Sequence, residues 1–337
     1  MARALDRRTL VTGLGLGALG VAAVVAVPAL SAARTSATGA PATAAPAASS
    51  SDEPLIGAAD PEHLHVMTFN IRLDRSVRTD REGQDPPVTE PGEADHWPDR
   101  RPLVIELLQR EVPTLLGVQE AKFPQLSAIE EALPHHRYVG YGRHGGSQDE
   151  HSALFYDARR FELLGWDQFW LSDAPDEIGS ATWGNEISRL VVWARLQDLA
   201  TGTELAVVNT HFDHQSAPAR LRSAEAVVDL IDGDELEGLP IIVTGDFNAA
   251  AGESDPYAEL VTDGPLRDTW ETAEERLTQG WGTFPNYEDP VEDARRIDWV
   301  LTTEGVVTHQ AAINVWRDGA GAFPSDHAPV QALLSLA

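Results

Sequence analysis

Short apolar runs separated by turns and helix-like stretches constrain the fold of this chain more than any other feature. Each run has the length and composition of a β-strand. The runs are His65–Asn70, Thr114–Glu120, Ser152–Tyr156, Leu190–Leu196, Leu205–His211, Pro240–Gly245, Ile297–Leu301 and His327–Leu336. Amphipathic helical patterns lie between them at Pro102–Arg110, Pro124–Leu133 and Ala217–Ile231. Strands and helices do not alternate strictly, and Thr201-Gly202 is typical of a hairpin turn. The sequence therefore predicts one α/β domain with largely antiparallel sheets covered by helices.

The start of the chain is typical of an export signal. Arg7-Arg8 precedes the apolar run Thr12–Leu30, and Ser31-Ala32-Ala33 follows as a candidate cleavage site. The arginine pair resembles the twin-arginine signal, which exports folded proteins. Residues 1–33 are therefore predicted to be a signal peptide and the protein to be secreted or extracytoplasmic. The apolar run is also long enough to stay as an N-terminal membrane anchor, which is the alternative.

Residues 34–61 consist mainly of Ala, Pro, Ser and Thr. Such a composition cannot bury a core, so this segment is predicted to be a disordered linker. The folded domain is then expected to span residues 62–337. The chain has no cysteine, which excludes disulfides, thiolate zinc sites and cysteine nucleophiles.

The charge of the chain bears on its partners. Asp and Glu number 53 against 25 Lys and Arg, which gives a net charge of −28. Nucleic acids are held mainly through phosphate contacts to Lys and Arg, so this surface disfavours a nucleic-acid partner without excluding one. Solubility or adaptation to salt explains the same charge. No heptad pattern or apolar face indicates an oligomer, and a monomer is expected.

Polar residues with catalytic potential lie at the ends of the predicted strands. Four strands end in them, and two strands begin with them. In a largely antiparallel sheet such ends and beginnings share an edge, so these side chains are expected to gather along one rim. They are Asn70, Glu120, His211, Asp246, Asn248, Asp298, Asp326 and His327.

Clustered carboxylates without thiolates suit a hard cation such as Mg²⁺ or Mn²⁺, with Ca²⁺ also possible. Imidazole and amide groups suit an anionic, oxygen-rich ligand. A cation beside them would polarise a phosphoryl oxygen while a carboxylate orients an attacking water. No covalent nucleophile is needed, and the sequence contains no Gly-x-Ser-x-Gly motif.

At these positions the chain resembles the endonuclease/exonuclease/phosphatase superfamily, which has the DNase I-like fold. The resemblance runs from about His65 to Leu336. The motifs that carry it are Met67-Thr68-Phe69-Asn70, Gly117-Val118-Gln119-Glu120, Asn209-Thr210-His211, Gly245-Asp246-Phe247-Asn248, Arg296-Ile297-Asp298 and Ser325-Asp326-His327. The resemblance implies a four-layer α/β sandwich with two mainly antiparallel sheets and a Mg²⁺-type site.

The resemblance also implies roles for the residues. Glu120 would be the main metal ligand, with Asn70 beside it and Asp326 supporting the same region. Asp246 would orient or deprotonate water, and Asn248 would hold a phosphate oxygen. His211 and His327 would bracket the phosphate, and Asp298 would pair with His327. In DNase-like members a Glu pairs with the other histidine, and Glu150 fits that place.

Several alternatives stay open. The favoured function is an exported phosphodiesterase or phosphomonoesterase with a small or lipid-derived substrate. An extracellular nuclease is the main alternative, while a silent binding module and a carboxylate-pair glycosidase rank lower. Arg189 and Arg296 either contact substrate phosphate or form salt bridges at the core edge. The polar segment Arg72–Asp95 is expected to be a loop bordering the site, and Asp74 is a further candidate for the metal region.

Overall fold

The strand-like runs form two large β-sheets in the computed structural model, which describes residues 53–77 and 87–336. The strands are β1 Leu64–Asn70, β2 Leu115–Gln119, β3 Ala121–Lys122, β4 His136–Val139, β5 Glu150–His151, β6 Leu154–Asp157, β7 Phe161–Trp170, β8 Leu190–Asp198, β9 Glu204–His211, β10 Ile241–Asp246, β11 Leu266–Asp268, β12 Glu275–Arg276, β13 Asp298–Thr303, β14 Val306–Ile313 and β15 Val330–Leu336. The helices are α1 Trp97–Glu111, α2 Phe123–Ala132, α3 Ala217–Ile231, α4 Asp255–Tyr257 and α5 Thr269–Thr272, with a π-helical turn at Ala258–Thr262.

The seven-stranded sheet has the order β12-β14-β15-β1-β2-β6-β4, and the six-stranded sheet has the order β11-β13-β10-β9-β8-β7. A small third sheet pairs β3 with β5. Most neighbouring strands are antiparallel, but β1 is parallel to β2, β9 is parallel to β10, and β12 is parallel to β14.

The core divides into three apolar layers. Because side chains alternate along a strand, Leu115 faces the opposite sheet while Leu116 faces the helices. One cluster fills the space between the sheets, a second packs the seven-stranded sheet against α1 and α2, and a third packs the six-stranded sheet against α3. Both faces of each sheet are covered, which explains why the central strands are continuously apolar. The predicted four-layer α/β sandwich is confirmed.

The three predicted helices are present, and α1 begins earlier than expected. The apolar pattern predicted a helix over Pro102–Arg110. The structure instead places Pro98 in the first turn and buries Trp97 and Arg100 ahead of the predicted boundary. The strands that were not predicted are β3, β4, β5, β7, β11, β12 and β14. In β7, for example, most positions are partly or fully exposed at the sheet edge, so the apolar signal is weak.

The N-terminal boundary of the folded body differs from the prediction. Residues 53–61 were assigned to the linker, but Leu55, Ile56 and Gly57 donate backbone hydrogen bonds to the buried carboxylate of Glu111 at 3.0 to 3.3 Å. This stretch therefore belongs to the folded body. The predicted signal peptide at 1–33 and linker residues 34–52 lie outside the described residues. Within the described ranges no helix is long and apolar enough to cross a membrane.

Candidate active site

Strand ends from both sheets meet at one edge of the sandwich. The last residues of β1, β2, β9 and β10 lie there because these strands form two parallel pairs, and the antiparallel strands β13 and β15 begin there. Asp246 is in register with His211 on one side and with Asp298 on the other. The expected gathering of polar strand ends is therefore present, although the catalytic roles remain predictions.

Asn70 connects the two sheets at this edge. Its side-chain amide donates to Glu120 Oε1 at 3.1 Å and to Asp246 Oδ2 at 3.0 Å. Asn70 Oδ1 accepts from the backbone N–H of Arg72 at 3.0 Å, which fixes the orientation of the amide. The end of a buried strand thus holds a carboxylate of one sheet near a carboxylate of the other.

The segment Gly245–Asn248 turns sharply at the end of β10. A side chain at position 245 would place its Cβ 2.8 Å from the backbone oxygen of Thr210, so the strands can approach only because glycine stands there. Asn248 has φ 49°, and its backbone N–H donates to Asp246 Oδ1 at 2.9 Å. Asn favours such a left-handed turn, which presents Asp246 and Asn248 on the same side.

His327 lies between two carboxylates. Its Nδ1 is 2.9 Å from Asp298 Oδ2, and its Nε2 is 3.7 Å from Asp246 Oδ2. Burial alone would lower the pKa of His327, but Asp298 and then Asp246 raise it to about 10. Burial and then the Asp298 charge raise the pKa of Asp246 to about 7. The ring is therefore held as an imidazolium between two acids, as expected for an Asp298–His327 pair.

His211 has a different environment. Burial and then the charges of Arg189 and Arg143 lower its pKa well below the usual range, so the ring is neutral. Asn248 Nδ2 donates to His211 Nε2 at 3.0 Å and to the Phe212 carbonyl at 3.0 Å. Asn248 was expected to hold a phosphate oxygen, but its amide nitrogen is engaged by these two acceptors. In this structure Asn248 orients His211.

The carboxylates of Glu120 and Asp326 both lie beside the guanidinium group of Arg72. Glu120 follows β2 with φ 61°, and its carboxylate accepts from the backbone N–H of Leu73 at 3.2 Å. The Arg72 guanidinium lies 3.4 Å from Glu120 Oε2 and 3.5 Å from Asp326 Oδ2. Burial would raise the pKa of Glu120, but Arg72 and His327 lower it overall.

Two groups of described residues can supply metal ligands. Ligand atoms of Asp246, Asp298 and His327 all lie within 4.8 Å of one another, so this buried group could hold a metal ion. A proton on His327 already offsets those two carboxylates. Glu120 and Asp326, the predicted ligands, offer carboxylate oxygen atoms, which is the donor chemistry that Mg²⁺, Mn²⁺ and Ca²⁺ prefer. Arg72 already lies beside both carboxylates, and Asn70 directs its amide nitrogen toward Glu120. The donor chemistry of Glu120 and Asp326 therefore suits a hard cation, and their role as ligands stays a prediction.

The expected pairing of Glu150 with a histidine is wrong for this structure. The Arg143 guanidinium donates to the Glu150 carboxylate, and no hydrogen bond among the described residues joins Glu150 to His211. Glu150 lies in the short strand β5, which pairs with β3 and not with a strand of the six-stranded sheet. Its carboxylate is therefore held beside Arg143, in the loop between β4 and β5, and away from His211 at the end of β9.

Other candidates have structural partners. Asp74 accepts from the backbone and hydroxyl of Ser76 within its own loop, and Arg296 pairs with Asp268 at 2.8 Å and Glu271 at 3.0 Å. Sequence reasoning missed the role of Arg72 at the carboxylate pair. Its position two residues after Asn70 was the available signal, but a charge in a polar loop gives no indication of its partners.

The sequence of this chain matches a known protein family and a viral protein. Residues 67–327 match the sequence model of the Endonuclease/Exonuclease/phosphatase family. Uncharacterized protein L388 of Acanthamoeba polyphaga mimivirus is 28% identical over 160 residues, which span 45% of this chain and 59% of the viral protein. The chain therefore matches less than two thirds of that relative.

Two solved structures from Bacteroides share the fold over nearly their whole length. The endonuclease/exonuclease/phosphatase of Bacteroides vulgatus is 30% identical, with a TM-score of 0.72, and the match covers 82% of this chain and 99% of that protein. The mannosyl-6-phosphatase of Bacteroides thetaiotaomicron is 31% identical, with a TM-score of 0.69 and coverage of 81% and 100%.

Proposed function

This chain belongs to the endonuclease/exonuclease/phosphatase family, and we propose that it is an exported, divalent-metal-dependent phosphoesterase acting on a small phosphate ester. Members of this family are hydrolases of phosphoester bonds. The observation that carries the proposal is the position of the Asn70 amide, which donates to both Asp246 and Glu120. This contact holds the candidate water-orienting carboxylate close to the candidate metal ligand. This arrangement suits in-line attack by water.

Asp246 is the candidate for orienting the attacking water and accepting its proton. Its Oδ2 lies 3.5 Å from His211 Nε2 and 3.7 Å from His327 Nε2, so the carboxylate stands between the two rings. The backbone N–H of Asn248 holds the other carboxylate oxygen, which leaves Oδ2 directed toward the histidines and Asn70. Such fixed orientation lowers the cost of bringing water into line.

His327 is the candidate for stabilising the negative charge that develops on the phosphoryl group. Asp298 anchors Nδ1, which fixes the ring and keeps it protonated. A preorganised imidazolium in a buried site stabilises a transition-state charge more strongly than a solvated one. His211 flanks Asp246 from the other side, oriented by Asn248.

Glu120, Asp326 and Asn70 are the residues that would hold the cation. When bound, Mg²⁺ or Mn²⁺ supplies Lewis-acid polarisation of a phosphoryl oxygen. Arg72 contacts both carboxylates and offsets their charge.

The substrate class rests on two supports. The mannosyl-6-phosphatase of Bacteroides thetaiotaomicron is 31% identical along its whole length, which favours a small phosphorylated sugar or similar ester. The net charge of −28 and a single lysine, Lys122, disfavour a long polyanion.

The test assays purified protein on mannose 6-phosphate, p-nitrophenyl phosphate, bis-p-nitrophenyl phosphate and plasmid DNA. Each substrate is measured with Mg²⁺ or Mn²⁺ and again after chelation. We expect metal-dependent hydrolysis of the small esters and intact plasmid. Plasmid cleavage at comparable enzyme concentration would make the extracellular nuclease the better assignment. Full ester hydrolysis in chelator would refute the metal role.

Export is part of the proposal and rests on the residues before the described region. Replacing Arg7 and Arg8 with Lys in the full chain should retain the protein in the cytoplasm if the twin-arginine route is used. Immunoblotting of culture medium, membrane and cytoplasmic fractions measures this. Wild-type protein found in the membrane fraction would indicate the anchored alternative, and unchanged secretion of the variant would exclude the twin-arginine route.

A further inference from the structure

Arg189 extends the row of candidate catalytic residues along the edge of the six-stranded sheet. Strand β8 runs antiparallel to β9, with Val191 opposite Thr210. Arg189 immediately precedes β8, and in this register Leu190 falls opposite His211, so Arg189 lies one residue beyond the position opposite the end of β9. The edge that carries the candidate site therefore continues into an arginine.

Arg189 is buried but poorly satisfied. Its side chain is 5% exposed, and neither Nε nor Nη1 has a hydrogen-bond partner among residues 53–77 and 87–336. Nη2 lies 3.1 Å from His214 Nδ1, while the nearest carboxylate oxygen, on Asp213, is 3.8 Å from Nε. Burial and then the charge of Arg143 lower the pKa of Arg189, while Glu150 and Asp213 act in the opposite direction.

Arg100 shows what a structural arginine looks like in the same molecule. It is 2% exposed, and its two terminal nitrogens donate to four backbone carbonyls at 2.8 to 3.3 Å, those of Ile71, Arg72, Leu73 and Pro324. A buried guanidinium is normally satisfied in this way because unpaired buried donors are destabilising. Nε lacks a partner in both arginines, but Arg189 also leaves Nη1 without an acceptor among the described residues, which indicates that this acceptor comes from a ligand.

Arg143 brings a second guanidinium to this end of the site from the other sheet. It lies in the loop after β4, where its backbone N–H donates to the Glu150 carbonyl at 3.0 Å. Trp170 Nε1 donates to the Arg143 carbonyl at 2.7 Å, which fixes that loop against the end of β7. The Glu150 carboxylate pairs with Arg143, so it is not available to Arg189 as a full counter-ion.

We propose that Arg189, supported by Arg143, binds the non-bridging oxygens of the scissile phosphate and thereby favours phosphomonoesters over phosphodiesters. A monoester phosphate carries up to two negative charges near neutral pH, whereas a diester carries one. Two guanidinium groups next to His211 match the additional charge, since arginine presents paired donors to phosphate oxygens. This inference rests on the proposed phosphoesterase function and assigns its substrate subclass.

The test measures binding of inorganic phosphate to the metal-free full-length protein by calorimetry, and then hydrolysis of p-nitrophenyl phosphate and bis-p-nitrophenyl phosphate. The variants are Arg189→Gln and Arg189→Lys, with Arg195→Lys in β8, the strand that follows Arg189, as the control. We expect Arg189→Gln to weaken phosphate binding by about 10- to 100-fold. We also expect it to reduce kcat/KM for the monoester at least about tenfold more than for the diester.

Arg189→Lys keeps the charge but loses the paired donors, so it should fall between the wild type and Arg189→Gln. Phosphate binding by either Arg189 variant within twofold of the wild type would overturn the inference. So would equal losses on the two esters. If Arg189→Gln does not fold, a wild-type structure with tungstate decides the matter. Tungstate within hydrogen-bond distance of Arg189 supports the inference, and tungstate bound at the histidines alone contradicts it.

Failure of this inference is distinguishable from failure of the proposed function. Phosphate binding needs no turnover. A protein that binds phosphate through Arg189 yet hydrolyses no ester would retain the anion site and lose the phosphoesterase assignment. A protein that hydrolyses both esters equally in all variants would retain the phosphoesterase assignment and lose the Arg189 subsite.

Discussion

Two regions with buried carboxylates, one at the end of α1 and one where β10 meets β13, differ in their surroundings. Glu111 at the end of α1 is 2% exposed and accepts hydrogen bonds from three backbone N–H groups and from Asn314 Nδ2. Asp246 and Asp298 are each 1% exposed and stand in register on neighbouring strands, so like charges face each other. Four hydrogen-bond donors satisfy the Glu111 carboxylate. Asp246 and Asp298 instead lie close to each other, and protonated His327 is their shared counter-charge.

This difference indicates that Glu111 serves stability, whereas Asp246 and Asp298 serve function. A fully bonded carboxylate stabilises the fold and has no lone pairs left for chemistry. Opposed carboxylates destabilise the fold, and groups perturbed in this way are concentrated at functional sites. Substitutions at the two places should therefore have opposite consequences.

The largest effect is expected from Asp246→Asn. The amide keeps the shape of the side chain but cannot accept a proton from water, so kcat on p-nitrophenyl phosphate should fall by about 10⁴-fold. The free energy of unfolding should not decrease, because removing one of two opposed charges offsets the poorer acceptance of the hydrogen bonds from Asn70 Nδ2 and the Asn248 N–H. Steady-state kinetics and urea unfolding measure both, with the exposed Asp229→Asn as control. A rate within tenfold of wild type would remove Asp246 from the mechanism.

A smaller loss is expected from Asp298→Asn. His327 would lose the carboxylate that fixes its orientation and proton, so the rate should fall by about 10²- to 10³-fold. The pKa of His327 should also fall because its main stabilising charge is gone. Proton NMR titration of the histidine ring checks the cause. An unchanged His327 titration would show that the pairing does not hold the ring.

The third prediction concerns Glu111→Gln. The amide N–H₂ of Gln would face the backbone N–H groups of residues 55–57, which then lose an acceptor. The free energy of unfolding should therefore fall by about 2–4 kcal/mol. Activity per folded molecule should be unchanged, since Glu111 lies away from the site edge. The exposed Glu106→Gln on the same helix is the matched control. A rate loss that exceeds the loss of folded protein would contradict the separation of the two regions.

The smallest effect is expected at His136, a buried histidine outside the candidate site, and concerns the pH dependence of stability. Burial lowers the pKa of His136, so the folded protein keeps the ring neutral while the unfolded chain takes up a proton near 6.5. Stability is therefore lost as the pH falls below 6.5, by up to about 1.4 kcal/mol per pH unit, until the folded pKa is reached.

His136→Gln can keep the hydrogen bond to the Pro113 carbonyl and should make this loss shallower by about 1 kcal/mol at pH 5.5. Urea unfolding between pH 7.5 and 5.5 measures the slope, with the exposed His135→Gln as control. A slope equal to that of the wild type would mean that other groups cause the acid sensitivity.

The comparison also shows what the sequence could predict. Asn70, Glu120, His211 and Asp246 were predictable because each follows an apolar strand, and strand polarity decides which ends meet. The Asp298–His327 pair followed from the family resemblance.

Residues whose role depends on distant partners were not predictable. Glu111 ends a helix, and only packing shows that residues 55–57 fold back onto it. Arg189 precedes a strand in the same way as many surface arginines, and its lack of acceptors is visible only in three dimensions. Glu150 was placed by resemblance beside a histidine, but its partner is Arg143 from its own side of the sandwich.

The most direct test of the account combines rate and stability in one set of preparations. Metal-dependent phosphate release and the free energy of unfolding would be measured for wild type, Asp246→Asn and Glu111→Gln. We predict that Asp246→Asn is inactive and at least as stable as the wild type, while Glu111→Gln is less stable and active per folded molecule. If both variants lost activity in proportion to stability, the buried carboxylates at the strand ends would be structural and the proposed site would be wrong.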